Sequence, residues 1–538
     1  MLDKELILIV RKIFEEKFQK YIKESSFFNI NIPKNRKFGD LSTDFLISLK
    51  DRKLREEILA EFKKDVNFEQ ANIVEPGFLN LKFSKDFYKH FLNKIIKNDI
   101  NYLKNCLKND KKIQIEFVSA NPTGPLTLGN GRNAAIGDAL SNTMKYLGMN
   151  VFKEYYLNDA GKKIDLLVLS VYSRIKELMG EKFEFPEDGY KGEYIYEIAK
   201  EILEKGNKNY IDNMDYLREE ILKILTNSIE KDLSDFGVKF DNWFSEKKLR
   251  DSGEVFFVLD YFKKNNFSYE KDGAIWFKST SFGDEKDRVL VKSDGEYTYF
   301  LTDIAYHLNK WRRGFDWVID IWGWDHIGHI MPLKWALEVF GIKEDFLTVI
   351  LYQIVHLLEG GKEVKMSKTT GEFVTLKELV DEIGKDTVRF IFLSRSSESM
   401  LNFDLDVARK KSLENPVYYI QYAYTRARSI EKKRIEKVID FDFEKMDLNF
   451  KDDERELLNE LIYVEEILYQ VVKKLSPHLL TFHAYDIAKK FHSFYHDYPV
   501  LNLNNEFERN KRISIVKAVE ITLSLLLNLI GVSTPEEM

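Results

Sequence analysis

The chain has 538 residues, of which 44% are hydrophobic and 32% are charged, with 82 Lys and Arg against 88 Asp and Glu. This length exceeds one hydrophobic core and predicts about three domains, and the hydrophobic fraction excludes an intrinsically disordered chain. The net charge of -6 argues against a globally basic nucleic-acid-binding protein, although basic faces can still be local.

The single cysteine, Cys106, excludes an intramolecular disulfide framework and a multi-cysteine zinc site. No stretch approaches the roughly 18 apolar residues of a membrane span, and the N-terminal segment lacks the long apolar run of a signal peptide. We therefore expect a cytoplasmic enzyme that does not associate with a membrane and carries no structural zinc.

Residues 1–105 predict a small α+β domain, because helical patterns flank β-like runs at Phe28–Ile32 and Ile73–Phe83. A polar, charged linker follows at Lys104–Lys112. The next four segments predict a strand, a loop rich in Gly, Pro and Asn, a helix and a second strand: Ile113–Val118, Ser119–Gly131, Ala135–Leu147 and Val151–Leu157. This order predicts a Rossmann-type parallel sheet that binds a nucleotide.

A second group of strand and helix patterns completes this domain, which we expect to span 106–405. Val318–Trp322 predicts a strand that leads into the sequence GWDHIGH, and Thr348–Leu357 predicts another buried strand. Residues 180–285 are mixed and charged, and we interpret them as an insertion on the sheet. From 406 to 538 the apolar residues recur at helical spacing, which predicts an all-helical domain.

Two loops of the central domain carry residues that suit a nucleotide. The first, ANPTGPLTLGNGR, has three glycines that let the backbone approach a ligand, and the N-terminus of the following helix favours phosphate. The second, KEVKMSKTTGEF, has Lys362, Lys365 and Lys368, which can neutralise charge on a leaving pyrophosphate. Alone, each loop also fits a structural turn or a solvated surface. Together, on either side of a split parallel sheet, they predict a nucleotide site.

These loops resemble the signature motifs of class I aminoacyl-tRNA synthetases, and the surrounding sequence is similar to the arginyl family. TLGN, Thr127–Asn130, occupies the place of the HIGH signature, and KMSKT, Lys365–Thr369, occupies the place of KMSKS. Further matching stretches are EFVSANPTGPL, YYLNDAGKKID, GWDHIGH, NPVYYIQYAYTRARSI and FHSFYHDYPVL. The likeness covers nearly the whole chain and is strongest across 113–165 and 299–430.

The resemblance implies an enzyme that ligates L-arginine to tRNA(Arg) in two steps. It would form arginyl-adenylate from ATP with Mg²⁺ and then transfer the arginyl group to the tRNA 3′ end. The implied fold is multidomain α/β, with a Rossmann-type catalytic domain at 106–405 that carries an insertion at 180–285. Residues 1–105 would contact the tRNA D-loop, and residues 406–538 would form an all-helical anticodon-binding domain. A monomer that does not bind DNA is expected.

Arginine carries a planar cation with five donors, so its pocket needs an oriented carboxylate. Tyr299 and Asp303 match the family's Tyr-x-x-x-Asp, and a spacing of four places both on one face of a helix. The resemblance makes Asp303 the guanidinium partner and Tyr299 a wall of the pocket. Without the resemblance, a helix-terminal Asp and a core Tyr would be the simpler interpretation. The other positions implied to bind arginine are Ser119, Asn121, Asn130 and Asp325.

The resemblance also implies residues that bind ATP and promote its reaction. The expected catalytic residues are Thr127, Asn130, Lys365 and Lys368. The expected ATP-binding residues are Gly129, Gly323, Asp325, His326, Met366 and Ser367. A metal site at the histidines of GWDHIGH is disfavoured, because no carboxylate or Cys cluster in the sequence completes it.

Thr127 and Asn130 depart from the family pattern, which has His at both positions. Thr and Asn can donate hydrogen bonds to phosphate but cannot become cationic. Tryptophanyl enzymes have a similar TIGN form, so we expect an active enzyme that depends more on its lysine loop, with a large loss of kcat for Lys368→Ala. The family's Thr-Arg-Asp is replaced here by Leu301-Thr302-Asp303, so any contact from that Arg is missing.

An aromatic and basic cluster in the helical C-terminal region is expected to bind tRNA. Tyrosine rings stack on unpaired bases, and arginine contacts phosphate or stacks. The members of the cluster are Gln421, Tyr422, Tyr424, Arg426 and Arg428. An ordinary helix with one buried tyrosine and solvated arginines is the alternative.

Three other functions remain open from the sequence. A cysteinyl specificity is disfavoured by the lack of a zinc cluster and by Asp303, which favours a cationic substrate. A tRNA-binding protein without catalysis is suggested by Thr127 and Asn130, but the intact KMSKT motif argues against it. A generic Rossmann nucleotidyl transferase would leave the helical C-terminal domain without a role.

Overall fold

A computed structural model of the chain describes residues 29–33, 35–205, 213–364 and 374–538. These residues divide into two compact units. One unit contains the described residues up to Lys108, Tyr146–Gly148 and Lys410–Met538, and the other contains those of Asn109–Lys145 and Met149–Arg409. None of the helices in the described ranges combines the length and the apolar character that a bilayer crossing requires.

The N-terminal part is α+β, as predicted. Its strands and helices in the described ranges are β1 (Ile30–Asn31), β2 (Leu41–Thr43), α1 (Arg52–Lys63), β3 (Phe68–Val74), β4 (Phe78–Phe83) and α2 (Lys85–Asn98). The strands form an antiparallel sheet in the order β1-β2-β4-β3. The predicted run Ile73–Phe83 is a hairpin, because Pro76 and Gly77 form a turn within it. Phe28 of the predicted first strand lies outside the described residues.

The second unit begins with the predicted strand, loop, helix and strand. The elements of its first half are β5 (Lys112–Glu116), α3 (Leu128–Tyr146), β6 (Asn150–Leu157), α4 (Lys162–Leu178), α5 (Glu193–Glu204), α6 (Met214–Asp235), β7 (Asn242–Ser245), α7 (Glu246–Asp251), α8 (Glu254–Lys264), β8 (Ser268–Lys271), β9 (Ala274–Phe277) and β10 (Arg288–Val291). Strands β8, β9 and β10 form a small antiparallel sheet of their own.

The second half of this unit alternates between helices and strands. Its elements are α9 (Tyr299–Arg312), β11 (Trp317–Gly323), α10 (Ile330–Glu338), β12 (Leu347–Tyr352), β13 (Val355–Glu359), β14 (Lys362–Glu363), α11 (Leu376–Ile383), α12 (Lys385–Phe392), β15 (Leu401–Asp404) and α13 (Leu405–Ala408). The predicted strand Thr348–Leu357 is two strands, since β12 joins the central sheet and β13 pairs with β14 and β15.

A parallel sheet forms the centre of the second unit, in the order β12-β11-β5-β6-β7, and every neighbouring pair is parallel. This is the Rossmann-type sheet that the sequence predicts. Strand β7 belongs to the region 180–285 that we interpreted as an insertion, so part of that region completes the sheet. The strand has four residues, all of intermediate burial, too few for an alternating pattern to show.

The C-terminal region is helical, as predicted, with α14 (Pro416–Glu436), α15 (Asp452–Lys474), α16 (His478–Asp497) and α17 (Glu506–Leu529). It packs against the N-terminal sheet domain within one unit. Tyr88 on α2 donates its hydroxyl to Asn459 Oδ1 at 2.8 Å, and Asn459 Nδ2 donates to Asp40 Oδ1 at 2.9 Å. Arg455 lies 3.3 Å from the Glu69 carboxylate. The two ends of the chain thus share one buried polar interface.

Candidate active site

A cavity of about 630 Å³, here called the main cavity, opens at the carboxyl ends of the parallel strands. Its lining includes Glu116 at the end of β5, Asn158 after β6, Gly323 at the end of β11 and Tyr352 at the end of β12. Ligands of open α/β sheets bind at this edge of the sheet. The main cavity is therefore the candidate active site.

The loop after β5 enters the main cavity through a strained turn. Val118 and Ser119 have left-handed backbone conformations, with φ of 66° and 41°, which are unfavourable for residues that carry a Cβ atom. Asn133 fixes the turn, because its Oδ1 accepts from Val118 N at 2.9 Å and its Nδ2 donates to the Ile321 carbonyl oxygen at 2.9 Å. A side chain on α3 thereby joins the loop to β11.

Ser119 and Asn121, both predicted to bind arginine, line the main cavity. The Ser119 hydroxyl donates to Glu116 Oε1 at 2.8 Å and accepts from Tyr156 N at 3.1 Å. Ser119 therefore holds the loop against β6. The Asn121 side chain makes no hydrogen bond to another described residue, so its amide is available to a ligand.

Tyr299 and Asp303 lie one turn apart at the start of α9, and both line the main cavity. Tyr299 is 53% exposed, whereas Asp303 is half-buried. Within the described ranges, no side chain donates a hydrogen bond to the Asp303 carboxylate. Burial raises the pKa of Asp303 well above its ordinary value, and the neighbouring carboxylates of Glu116 and Glu246 raise it further. A cationic ligand would relieve both effects.

A buried network of charges lies beside Asp303. Lys310 Nζ donates to Glu116 Oε2 at 2.6 Å and to Asp320 Oδ1 at 2.8 Å. His307 Nε2 lies 2.7 Å from Asp320 Oδ2, and His307 Nδ1 lies 2.7 Å from the Asp303 carbonyl oxygen. Both ring nitrogens thus lie within hydrogen-bond distance of an oxygen atom. Burial alone would raise the pKa of Asp320. The neighbouring Lys310 and His307 outweigh burial and hold this pKa below its ordinary value.

Lys310 pairs with both carboxylates of this network, Glu116 and Asp320, and His307 contacts Asp320. Within the described part of the chain, the Asp303 carboxylate has no ion-pair partner of its own. A cationic ligand in the main cavity can therefore pair with it.

Thr127 and Asn130 form a reciprocal cap at the start of α3. Asn130 Oδ1 accepts from the Thr127 backbone N–H at 3.0 Å and from the Thr127 hydroxyl at 2.8 Å, and Asn130 N donates to Thr127 Oγ1 at 3.4 Å. These contacts fix the orientation of the Asn130 amide. Its Nδ2 has no acceptor among the described residues, and Asn130 lines the main cavity, whereas Thr127 and Gly129 do not.

The end of β11 contributes Gly323 to the lining of the main cavity, and the segment after it contributes His326. A Cβ atom at position 323 would lie 2.5 Å from Asp325 Oδ1, so a larger residue here would displace that carboxylate. The Asp325 side chain is 83% exposed and lies outside the lining. Asp325, which was predicted to contact arginine and ATP, is therefore not a lining residue of the main cavity.

Four predicted site residues of the lysine loop, Lys365, Met366, Ser367 and Lys368, lie outside the described residues. The residues that follow them are attached to the start of α3. Leu376 N donates to the Leu126 carbonyl oxygen at 2.8 Å, and Thr127 forms an antiparallel β-bridge with Thr375. The two signature motifs are thus connected through the backbone of their flanking residues.

Sequence reasoning missed a wall of the main cavity that comes from the region 180–285. Asp188, Tyr190, Lys191 and Tyr194 line it, and the Tyr194 hydroxyl donates to the Thr123 carbonyl oxygen at 2.7 Å. It also missed the buried network. A signal for Asp320 existed, since it is the one charged residue in the apolar run WVIDIWG, whereas nothing in the sequence singles out residues 188–194.

No group of three or more His, Cys, Asp and Glu side chains within the described ranges has the arrangement of a metal site.

The predicted tRNA-binding cluster on α14 divides between two faces of the helix. The Tyr422 ring stacks on His492 with 5.6 Å between centroids, and the Arg426 guanidinium lies 5.0 Å from the Tyr422 ring and 4.2 Å from the Tyr495 ring. Tyr419 extends this patch through His492, at 4.6 Å. These rings form a partly exposed aromatic surface that suits base stacking.

The other three members of the cluster have structural partners. Gln421 Nε2 donates to the Ser533 carbonyl oxygen at 3.0 Å, and Tyr424 is only 5% exposed. Arg428 lies 3.2 Å from the carboxylate of Glu536 and 3.4 Å from that of Glu520. Gln421 and Tyr424 therefore do not present a surface to RNA.

Comparison with known proteins gives three family matches. Residues 91–443 match "tRNA synthetases class I (R), catalytic domain", residues 5–83 match "Arginyl tRNA synthetase N terminal domain" and residues 420–538 match "DALR anticodon binding domain". The chain belongs to the arginyl-tRNA synthetase family. It is a class I aminoacyl-tRNA synthetase, which confirms the resemblance carried by the two signature loops.

Individual relatives of this synthetase match over most of its length. An arginine–tRNA ligase from Listeria welshimeri is 41% identical over 95% of this chain and 94% of its own. One from Aquifex aeolicus is 39% identical over 99% of this chain and 100% of its own. The crystal structure of a putative arginyl-tRNA synthetase from Campylobacter jejuni has a TM-score of 0.78 and 35% identity, and covers 85% of this chain and all of its own.

Proposed function

We propose that this synthetase charges tRNA(Arg) with L-arginine, using ATP as its magnesium complex. The observation that carries the proposal is Asp303, a half-buried carboxylate of the main cavity that has no ion-pair partner in the described ranges. A guanidinium is always charged and can donate two parallel hydrogen bonds to a carboxylate. The guanidinium of arginine would thus give the Asp303 carboxylate the cationic partner that it lacks.

The first step joins arginine to AMP. An oxygen of the arginine carboxylate attacks the α-phosphorus of ATP, and the bond from that phosphorus to the β-phosphate breaks. The amides of Asn121 and Asn130 are free to hold the amino acid and a phosphate oxygen. The N-terminus of α3 favours the negative charge. Lys365 and Lys368 remain the predicted partners of the leaving pyrophosphate.

The second step transfers the arginyl group. A hydroxyl oxygen of the tRNA 3′-terminal nucleotide attacks the carbonyl carbon of the adenylate and forms the ester, its proton passes to solvent, and AMP leaves with the electrons of the broken mixed-anhydride C–O bond. We assign anticodon binding to 406–538, D-loop contact to 1–105 and both chemical steps to 106–405. We further propose that the enzyme acts as a cytoplasmic monomer that binds neither DNA nor a membrane.

Charging assays with three amino acids test this assignment. Arginine should be attached to tRNA, whereas citrulline, which replaces the guanidinium by a neutral urea, and lysine, which offers a point charge, should not. Arginine-dependent ATP–pyrophosphate exchange should require tRNA, as the family resemblance implies. Charging of citrulline at a similar rate would contradict the role of Asp303, and charging of an unrelated amino acid would contradict the function itself.

A further inference from the structure

The loop that carries Asn121 is held by two tyrosine hydroxyl groups, one on each side of that residue. Tyr155, on β6, donates its hydroxyl to the Ala120 carbonyl oxygen at 2.9 Å. Tyr194, at the start of α5, donates its hydroxyl to the Thr123 carbonyl oxygen at 2.7 Å. Asn121 lies between the two accepting residues, so both hydrogen bonds constrain the backbone from which its amide extends.

Further hydrogen bonds fix the same stretch of backbone. Thr123 N donates to the Asn121 carbonyl oxygen at 2.7 Å, and Asn158 Nδ2 donates to the Ser119 carbonyl oxygen at 3.1 Å. The left-handed conformations of Val118 and Ser119 begin this stretch. Conformations of this kind persist only where the surrounding contacts over-determine them. The two tyrosine hydroxyls belong to the contacts that keep the loop in its strained form.

The rings of both tyrosines are themselves held in place. Tyr155 is completely buried, and its ring stacks on that of Trp243 with 4.2 Å between centroids. Tyr194 is half-buried, and a Cβ atom on Gly124 would lie 3.2 Å from its hydroxyl oxygen, so the loop backbone lies directly against this side chain. Burial raises the pKa of both hydroxyl groups, so each keeps the proton that it donates.

We propose that Tyr155 and Tyr194 are positioning residues that hold Asn121 in the orientation in which its amide contacts the amino acid. This inference rests on the proposed function, which gives that contact to Asn121. The hydroxyl proton of each tyrosine is used by a carbonyl oxygen of the loop, so both residues act on arginine through the loop. A binding group that is fixed before the substrate arrives loses less entropy on binding. Part of the region 180–285 thereby supports the arginine site.

Tyr155→Phe and Tyr194→Phe test the proposal, because each removes one hydroxyl and keeps the ring. In ATP–pyrophosphate exchange with tRNA present, each change should lower kcat/KM for arginine by about 2- to 12-fold, the effect of losing one neutral hydrogen bond. The KM for ATP should stay within about twofold. The matched control is Tyr463→Phe, since Tyr463 donates its hydroxyl to the Ile30 carbonyl oxygen at 2.8 Å, outside the catalytic unit. It should leave kcat/KM for arginine unchanged.

Two further measurements separate positioning of Asn121 from a general effect on the fold. In an Asn121→Ala background, Tyr194→Phe should lower kcat/KM for arginine by less than about twofold, because no amide remains to be positioned. A merely structural role would give the same loss in both backgrounds. Propylguanidine has the guanidinium group but neither the amino nor the carboxylate group of arginine. As a competitive inhibitor, it should have the same Ki for Tyr194→Phe as for wild type.

Equal losses in the two backgrounds would overturn the proposal, and so would weaker inhibition of Tyr194→Phe by propylguanidine. Unchanged kcat/KM for arginine in both tyrosine variants would also overturn it, provided that Asn121→Ala itself lowers this value. A normal kcat/KM in Asn121→Ala would reject the contact assigned to Asn121, and the inference with it. A wild type that charges no arginine would instead reject the proposed function as a whole.

Discussion

Lys310 Nζ donates a 2.6 Å hydrogen bond to Glu116 Oε2, and the lysine side chain is completely buried. The same ammonium compensates Asp320, so Lys310→Met would leave two buried carboxylates without their shared cation. We expect this change to lower the free energy of unfolding of the catalytic unit by about 3–5 kcal/mol. Urea unfolding followed by circular dichroism measures it.

Lys264→Met is the control for that loss, because Lys264 forms an exposed ion pair with Asp260. The control should change stability by no more than about 0.5 kcal/mol. Equal effects of the two substitutions would show that the buried network does not stabilise the catalytic unit.

Asp303→Asn should reduce kcat/KM for arginine by roughly 30- to 5,000-fold, the range expected when one partner of a buried charge pair is removed. The KM for ATP should change little, because the substitution keeps the shape of the side chain. Asp260→Asn is the control for the loss of one negative charge, because Asp260 is a partly exposed carboxylate on α8. A kcat/KM within threefold of wild type would remove Asp303 from the arginine site.

The same substitution should make the free enzyme more stable. Because the pKa of Asp303 is raised in the folded protein, the folded state binds more protons than the unfolded state just above pH 3.8, the ordinary aspartate pKa. Its contribution to stability therefore falls as pH rises through this window. Thermal melts from pH 4 to pH 8 should show a smaller decline for Asp303→Asn than for wild type.

Arginine binding should release a proton at pH values just below the raised pKa that Asp303 has in the free enzyme. The guanidinium pairs with the ionised carboxylate, so affinity should increase with pH in this window, by up to about tenfold per pH unit. Titration calorimetry in two buffers of different ionisation enthalpy measures the released proton. Asp303→Asn should abolish the release, and an undiminished release in that variant would assign the proton to another group.

Asn130→Asp separates the two tasks of this residue. The carboxylate can accept the same two hydrogen bonds from Thr127, and a negative charge near the start of α3 is favourable by about 0.3–1 kcal/mol. The melting temperature should therefore be kept, but the Nδ2 donor is replaced by a carboxylate. We expect kcat of arginine activation to fall by about 10²–10³, as for the loss of one preorganised donor. Normal kcat would show that the amide does not contact phosphate.

Tyr422→Leu should raise the KM for tRNA by roughly 5- to 150-fold, since one stacked base contributes about 1–3 kcal/mol. The KM for arginine should be unchanged. Tyr216→Leu, a partly exposed tyrosine on α6, is the matched control. An unaffected KM for tRNA would show that the aromatic surface around His492 does not bind bases.

The parallel sheet was predictable because β5, the glycine-rich loop and α3 follow one another directly in the sequence. The spacing of their apolar residues changes from that of a strand to that of a helix. The division of the α14 cluster between two helix faces could also have been predicted from the sequence. Tyr422 and Arg426 are four residues apart and share one face, whereas Gln421 and Tyr424 belong to the adjacent face. The environment of Asp303 was not predictable. Its carboxylate neighbours come from β5, α7 and β11, and only the tertiary fold brings them together.

The buried contact between Tyr88 and Asn459 joins residues that are 371 positions apart. At a synthesis rate of about 5–20 residues per second, the ribosome needs roughly 20–75 s to make that intervening stretch. During this interval, the N-terminal sheet exists without the helices that cover it. The contact therefore forms only after the catalytic region has been synthesised, and a stall anywhere in that region leaves the N-terminal side of this interface uncovered on the nascent chain.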